Sequence, residues 1–312
     1  FSADGGVFVG GSLQRVDSIT GQSGLALQKL RAEGRIDASF QAPPMQAYDN
    51  IPIVYKLVVL PDGRLLAAGE FRTVGINPER NNICRVRADG SIDPSYTASA
   101  PVVWTQINDI DLLADGRAYV SGDFGMLNDF EPGCVARLSP SGSAERTFKL
   151  PVSNSTGAHG PIVNSLLVLT DGRLLAGGNF RNANGTERNF LARVFDDGAV
   201  DTSFTAGTDN EVVTVAEDTQ GRLWIGGAFT SLNGAPAPGV ARILRTGDIP
   251  VVRGALTAPP ALQGCNVILD TKSVGADSIQ WLRNGTVVAG ATDTSFAIAS
   301  ASAGDDGTYT FR

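Results

Sequence analysis

Apolar positions in the first 250 residues fall in short runs, and nearly every run stops at an Asp-Gly, Asn-Gly or similar polar pair. No stretch sustains the 3.6-residue apolar period of an amphipathic helix. The pattern predicts short strands joined by tight turns. Asp-Gly between apolar runs is a hairpin signal, and a type I′ turn, with both central residues at positive φ, is expected at each.

The runs are copies of one another. LVVLPDGRLLAAGEF (57–71) returns as DLLADGRAYVSGDF (111–124), LLVLTDGRLLAGGNF (166–180) and VAEDTQGRLWIGGAF (215–229). A shortened copy, FSADGGVFVGGSL, opens the chain. A second motif follows each copy: ICRVRADGSIDPSY (83–96), VARLSPSGSAERTF (135–148) and LARVFDDGAVDTSF (191–204). LQKLRAEGRIDASF (27–40) and VARILRTGDIP (240–250) are degenerate versions. The first-turn positions Asp4, Asp62, Asp115, Asp171 and Gln220 and the second-turn glycines Gly34, Gly90, Gly142, Gly198 and Gly247 keep the same period. Each unit reads as four strands, with the D-x-S-F string on the fourth. That is the arithmetic of a β-propeller blade, whereas a solenoid of this period would need a helix per unit. Five repeats are visible. Phe1 aligns with Val59, so the first is expected to lack its first strand and the chain to be truncated at its N-terminus.

Aligned columns suggest roles. Phe71, Phe124, Phe180 and Phe229 form one, and Phe40, Tyr96, Phe148 and Phe204 another. Both are expected to fill the space between neighbouring sheets. Arg85, Arg137, Arg193 and Arg242 form a third. Either it is a ligand-binding ring or it makes an ion pair or carbonyl contact within every blade. A residue present in all units usually serves the unit, so the structural role is expected. A fourth column, Lys56, Asp109, Ser165 and Thr214 with Tyr55, Asn108 and Asn164 beside it, interrupts the apolar first strands. In a propeller these strands line the channel. The column is therefore the candidate ligand site at its mouth, set against a solvated channel wall.

The combination DGRLLAGGNF, NGTERNFLARVFDDG and VDTSF resembles the delta-60 repeat family of bacterial β-propellers over residues 1–250. The resemblance implies a large exported bacterial protein and supplies no catalytic residues. Gln220 in place of the turn Asp and the missing D-x-S-F string of the fifth copy depart from the pattern.

The repeat signature ends near residue 250. Residues 251–260 read as a short, stiff linker with Val251, Val252, Pro259 and Pro260, docked on the fifth repeat. Residues 261–312 resemble an immunoglobulin-like domain cut short at its C-terminus. Trp281 stands as the core Trp and Tyr309, in the Asp305-x-Gly307-x-Tyr309 pattern, as the tyrosine corner. Leu269 and Phe311 would occupy the two positions of the usual inter-sheet disulfide, and Cys265 is out of register for it. The fold class is thus all-β: four-stranded propeller blades followed by an immunoglobulin-like β-sandwich.

Composition narrows the function. Net charge is −7 at pH 7, which disfavours nucleic acid as a partner. No apolar run is long enough to span a membrane. Cys84, Cys134 and Cys265 lack metal-ligand spacing, and the first two are expected to be buried thiols on neighbouring blades. The single histidine, His159, sits in a Ser/Asn/Gly loop with no second ligand or nucleophile pattern near it. The N-x-T strings at Asn154, Asn184 and Asn284 read as turns. No catalytic residue, metal or cofactor is expected. The chain reads as a non-catalytic extracellular or cell-surface protein of a bacterium, binding protein or glycan or assembling with itself. The alternative is a polysaccharide-binding lectin or carbohydrate-active enzyme working at the propeller mouth.

Overall fold

The structure is a computed structural model that describes residues 2, 4–13, 25–47, 51–73, 79–100, 105–154, 160–243, 267–270, 280–293, 295–299, 302–305 and 307–311. For residues 25, 267–270, 295, 303 and 311 it describes the backbone only. His159, Cys265 and the 251–260 linker lie outside the described residues, as do the side chains of Leu269 and Phe311. The chain divides into two compact units, 1–216 with 225–241 and 217–224 with 242–312.

Each repeat contributes one main sheet, with shorter pairs such as Asn182–Ala183 with Thr186–Glu187 and Ser231–Leu232 with Ala235–Pro236 beside it. The first strands are Ile53–Val59, Gln106–Leu112, Ile162–Val168 and Val212–Glu217. The second strands are Val7–Leu13, Leu65–Thr73, Ala118–Asp123, Leu174–Asn179 and Leu223–Gly227. The third are Leu25–Leu30, Asn81–Val86, Val135–Leu138, Leu191–Val194 and Val240–Ile243. In the second to fifth repeats the second strand is central and bonds to the first and third. Val7–Leu13 pairs with Leu25–Leu30 alone among the described strands. None of the described sheets closes on itself.

Among the described residues the expected fourth strand is not formed. What remains of it is one bridged residue per repeat: Leu30 to Ile36, Val86 to Ile92, Leu138 to Ala144 and Val194 to Val200. The D-x-S-F string itself is a turn. In the second repeat Asp93 accepts bonds from the Ser95 amide at 3.0 Å and its hydroxyl at 2.6 Å. Side-chain bonding of this kind competes with a strand ladder and wins here.

The Asp-Gly turns also differ from expectation. Gly63, Gly116 and Gly172 have φ near +85°, but the preceding Asp residues do not lie at positive φ. The Asp62 carboxylate accepts the Arg64 amide at 3.0 Å, and Leu60 and Arg64 close a three-residue loop. This is a type I turn followed by one left-handed residue. Type I′ character belongs instead to Asn184-Gly185, Asn233-Gly234 and Asn284-Gly285, where both residues have positive φ.

The core lies between repeats. Leu66, Ile83 and Tyr96 of the second share one cluster with Ile107, Ile110 and Phe124 of the third. Tyr119, Val135 and Phe148 of the third do the same with Val163, Leu166 and Phe180 of the fourth. Both aromatic columns are buried throughout. Each such ring contributes about 1.5–3 kcal/mol, so the repeats stabilise one another more than themselves. Cys84 and Cys134 are buried free thiols, as expected.

In the second unit, Val267–Asp270 pairs with Ser295–Ile298, and Trp281–Arg283 lies between Thr286–Val287 and Tyr309–Phe311. Trp281 is fully buried, and its Nε1 donates to the Asp293 carbonyl at 2.9 Å. Phe296 packs between Trp281 and Tyr309. The Tyr309 hydroxyl donates to the Asp305 carbonyl at 2.9 Å, the bond expected of a tyrosine corner.

Candidate functional site

The polar column on the first strands is brought together, strand against strand. The first strands of the second, third and fourth repeats each carry a β-bulge, because the register shifts between Val54 and Lys56, Ile107 and Asp109, and Val163 and Ser165. Tyr55, Asn108 and Asn164 are the extra residues. A glycine faces each bulge. A Cβ on Gly69, Gly122 or Gly178 would stand only 2.0–2.1 Å from the carbonyl oxygen of Ile53, Gln106 or Ile162. The bulge therefore requires the glycine, and it re-aims the residues that follow it.

The residues after the bulge link the repeats. Lys56 Nζ lies 2.6 Å from Asp109 Oδ1. Asp109 Oδ2 accepts the Ser165 hydroxyl at 3.0 Å and the Leu166 amide at 2.9 Å. Ser165 Oγ in turn accepts the Val215 amide at 3.3 Å. Asp111 accepts the Val168 amide at 2.6 Å. Burial pushes the Asp111 carboxyl up, and the nearby Asp109 charge adds to this against the pull of the Val168 amide and Lys56. Asp109 and Ser165 are buried, whereas Thr214 is exposed.

The bulge residues form a second, outer line. The Asn108 amide donates to Asn164 Oδ1 at 3.3 Å, and Asn164 donates to Glu211 at 2.7 Å and the Val212 carbonyl at 3.0 Å. Tyr55 is 43% exposed, and its hydroxyl reaches Gln106 at 3.4 Å. Gln106 and Glu211 were not among the expected site residues. Their signal in the sequence is indirect: Gln106 is the first residue of a first strand and Glu211 stands just before one.

Within the Arg column, Arg85 and Arg137 make both contacts considered for it, an ion pair in their own repeat and a bond to a carbonyl of the next. Arg85 Nε lies 2.8 Å from Asp93, and its Nη1 donates to the Pro140 carbonyl of the next repeat at 2.6 Å. Arg137 repeats this with Glu145 and the Asp196 carbonyl. Arg193 pairs with Asp201 at 2.8 Å. Lys29 takes the same place in the first repeat, 3.4 Å from Asp37. The first-turn arginines Arg64 and Arg173 add a second cation to Asp93 and Asp201, each at 2.6 Å. Burial opposes ionisation of Asp201, but Ser203, Arg173 and Arg193 outweigh it and hold the carboxyl at about 2.

Among the described residues no group of three His, Cys, Asp or Glu side chains is placed to hold a metal ion, and no helix is long and apolar enough to cross a membrane.

No curated protein matches the chain. A family described as a domain of unknown function (DUF5122) beta-propeller matches residues 60–96, 169–204 and 221–249. A two component regulator propeller family matches residues 206–229. Among solved structures, the extracellular domain of a hybrid two component system from B. thetaiotaomicron is 15% identical with a TM-score of 0.44. The alignment covers 78% of this chain and 26% of that one. Virginiamycin B lyase from Staphylococcus aureus is 18% identical with a TM-score of 0.44, covering 78% of this chain and 67% of that one. A gluconolactonase from Xanthomonas campestris is 20% identical with a TM-score of 0.35, covering 69% and 70%. The repeat, its sheets and both family matches agree on β-propeller repeats in this chain.

Proposed function

We propose that the chain is a non-catalytic, exported binding protein whose propeller repeats form a rigid platform and whose C-terminal segment is an immunoglobulin-like module. One observation carries the non-catalytic part. The carboxylate best placed for chemistry, Asp109, has its oxygens committed to Lys56, Ser165 and the amides of Ile110 and Leu166. A general base needs a lone pair free for substrate, and freeing one here would break the contact between repeats. The buried Trp281 and the Tyr309–Asp305 bond support the immunoglobulin-like reading. The delta-60 resemblance supports export.

The second reading is a lectin, favoured by the exposed Tyr55 beside Gln106 and the Asn108–Asn164 amides, groups that suit a sugar face and its hydroxyls. A glycan and protein array probed with the whole chain separates the two, followed by a reducing-sugar assay on any polysaccharide bound. Binding without sugar release supports the platform. Sugar release by the purified chain would replace it with an enzyme.

A further inference from the structure

The polar groups around Tyr55 change in charge from repeat to repeat. Each first strand starts opposite the end of the second strand of its own repeat: Ile53 pairs with Glu70, Gln106 with Asp123 and Ile162 with Asn179. The second and third repeats therefore place a carboxylate at that end, and the fourth a neutral amide. Glu70 Oε2 accepts the Tyr55 hydroxyl at 3.5 Å, and the same hydroxyl lies 3.4 Å from Gln106 Oε1. Tyr55 thus stands between the two repeats, 43% exposed, with a carboxylate on its own repeat and an amide on the next.

These carboxylates have no cation of their own. Among the described residues neither Glu70 nor Asp123 forms an ion pair. Lys56, on the same strand as Tyr55, is held by Asp109 at 2.6 Å. Asp123 is half-buried and accepts no hydrogen bond, and burial pushes its carboxyl up with nothing acting against it. A charge withdrawn from water in this way is unfavourable until something pairs with it. Segments 48–50, 74–78, 101–104 and 155–159, which adjoin the described strands in the chain, contain no Lys or Arg.

The neutral groups beside them have bonding capacity left. The Gln106 amide nitrogen and the Asn108 side-chain oxygen have no partner among the described residues, and Asn108 uses one amide hydrogen on Asn164. Donors and acceptors set on successive strands suit the hydroxyls along a sugar chain, and a tyrosine ring suits either the apolar face of a sugar or an ammonium group.

We propose that this line of residues binds a glycan with free primary amines, a polymer of amino sugars with one ring on Tyr55 and its ammonium groups at Glu70 and Asp123. The proposal rests on the lectin reading above and adds the charge of the ligand to it. A neutral glycan would leave both carboxylates unpaired, and an acidic one would be repelled by them.

The test is isothermal titration calorimetry of the whole 312-residue chain at pH 6 with a glucosamine hexamer, an N-acetylglucosamine hexamer and hexalysine. The glucosamine hexamer is expected to bind about tenfold more tightly than its acetylated counterpart. Glu70→Gln combined with Asp123→Asn should erase that preference, and Tyr55→Ala should weaken both hexamers. Val287→Asp, an exposed change in the other unit, should leave binding intact. Circular dichroism checks that each variant folds. Equal binding of the two hexamers, or a preference that survives the paired change, overturns the amine assignment and leaves the lectin reading standing. Hexamer binding that is indifferent to Tyr55→Ala places the glycan elsewhere and overturns the proposal. Binding of neither hexamer overturns both the proposal and the lectin reading. Hexalysine binding as tightly as the glucosamine hexamer, and lost with the same paired change, overturns the proposal in favour of a basic polypeptide.

Discussion

Arg193 and Asp201 form a buried ion pair, 2.8 Å from Nε to Oδ2, between the third strand of the fourth repeat and the turn that follows it. Arg173 lies 2.6 Å from the same carboxylate oxygen. Removing one member of a buried pair strands the other charge, which costs about 3–5 kcal/mol. Asp201→Ala is expected to destabilise by that amount in urea unfolding. Asp62→Ala, at an exposed turn, should cost about 1 kcal/mol or less. Equal, small losses would show that the repeated pair does not hold the blade.

The same carboxylates set an acid limit. Asp201 is held at about 2, and Asp93 lies well below the usual carboxylate range through Ser95, Arg64 and Arg85, against the cost of burial. A folded-state value below the unfolded one, about 3.9, gives stability that is present above pH 4 and lost as pH falls towards 2. Asp111 has the opposite sign, since its raised value favours the folded state as pH drops towards 4. Thermal unfolding midpoints from pH 7 to 2 should stay level to about pH 4 and then fall steeply. Asp201→Asn should flatten the fall. A loss that starts above pH 5 and is unchanged in Asp201→Asn would contradict this assignment.

The bulge glycines should tolerate nothing larger. A Cβ on Gly178 would sit 2.1 Å from the Ile162 oxygen, backbone against backbone. Gly178→Ala is expected to cost about 3 kcal/mol or more. Gly185→Ala, at φ +78° in open space, pays only the left-handed conformation, about 1 kcal/mol. Denaturant midpoints of the two variants decide it, and similar midpoints would refute the bulge geometry.

Burial pushes both the Cys84 and Cys134 thiols up to about 12. Thiolate is the reactive form, so alkylation of native protein at pH 8 should leave both unmodified while denatured protein labels fully. Peptide mapping by mass spectrometry reads each site. Rapid labelling of Cys84 in the native chain would mean that the core between the first two repeats is open.

The repeat, its aromatic columns and the structural use of the arginines were legible in the sequence, because a residue repeated in register answers to a contact repeated in space. Two features were not. The D-x-S-F string has strand-like composition, but Asp93 and Asp201 bend it by accepting the amide and hydroxyl of Ser95 and Ser203. The bulges at Tyr55, Asn108 and Asn164 left no mark on spacing, since the first strands of three successive repeats carry the same extra residue. What they leave is the paired glycine on the opposite strand, and a glycine column has several explanations. Nor did the spacing give the partners of Asp109, Lys56 on the repeat before it and Ser165 on the repeat after it.

The proposed function turns on Asp109, which we propose joins repeats and performs no chemistry. Its side chain meets Lys56, Ser165 and the Leu166 amide, so Asp109→Ala should cost about 3 kcal/mol, while Lys56→Met, at a partly exposed partner, should cost about 1 kcal/mol or less. The decisive measurement reads Asp109→Asn twice, as an unfolding midpoint and as sugar release from polysaccharide. The account predicts a lowered midpoint and no sugar release from either the unaltered chain or the variant. Sugar release by the unaltered chain that Asp109→Asn abolishes, with the unfolding midpoint unmoved, would contradict it.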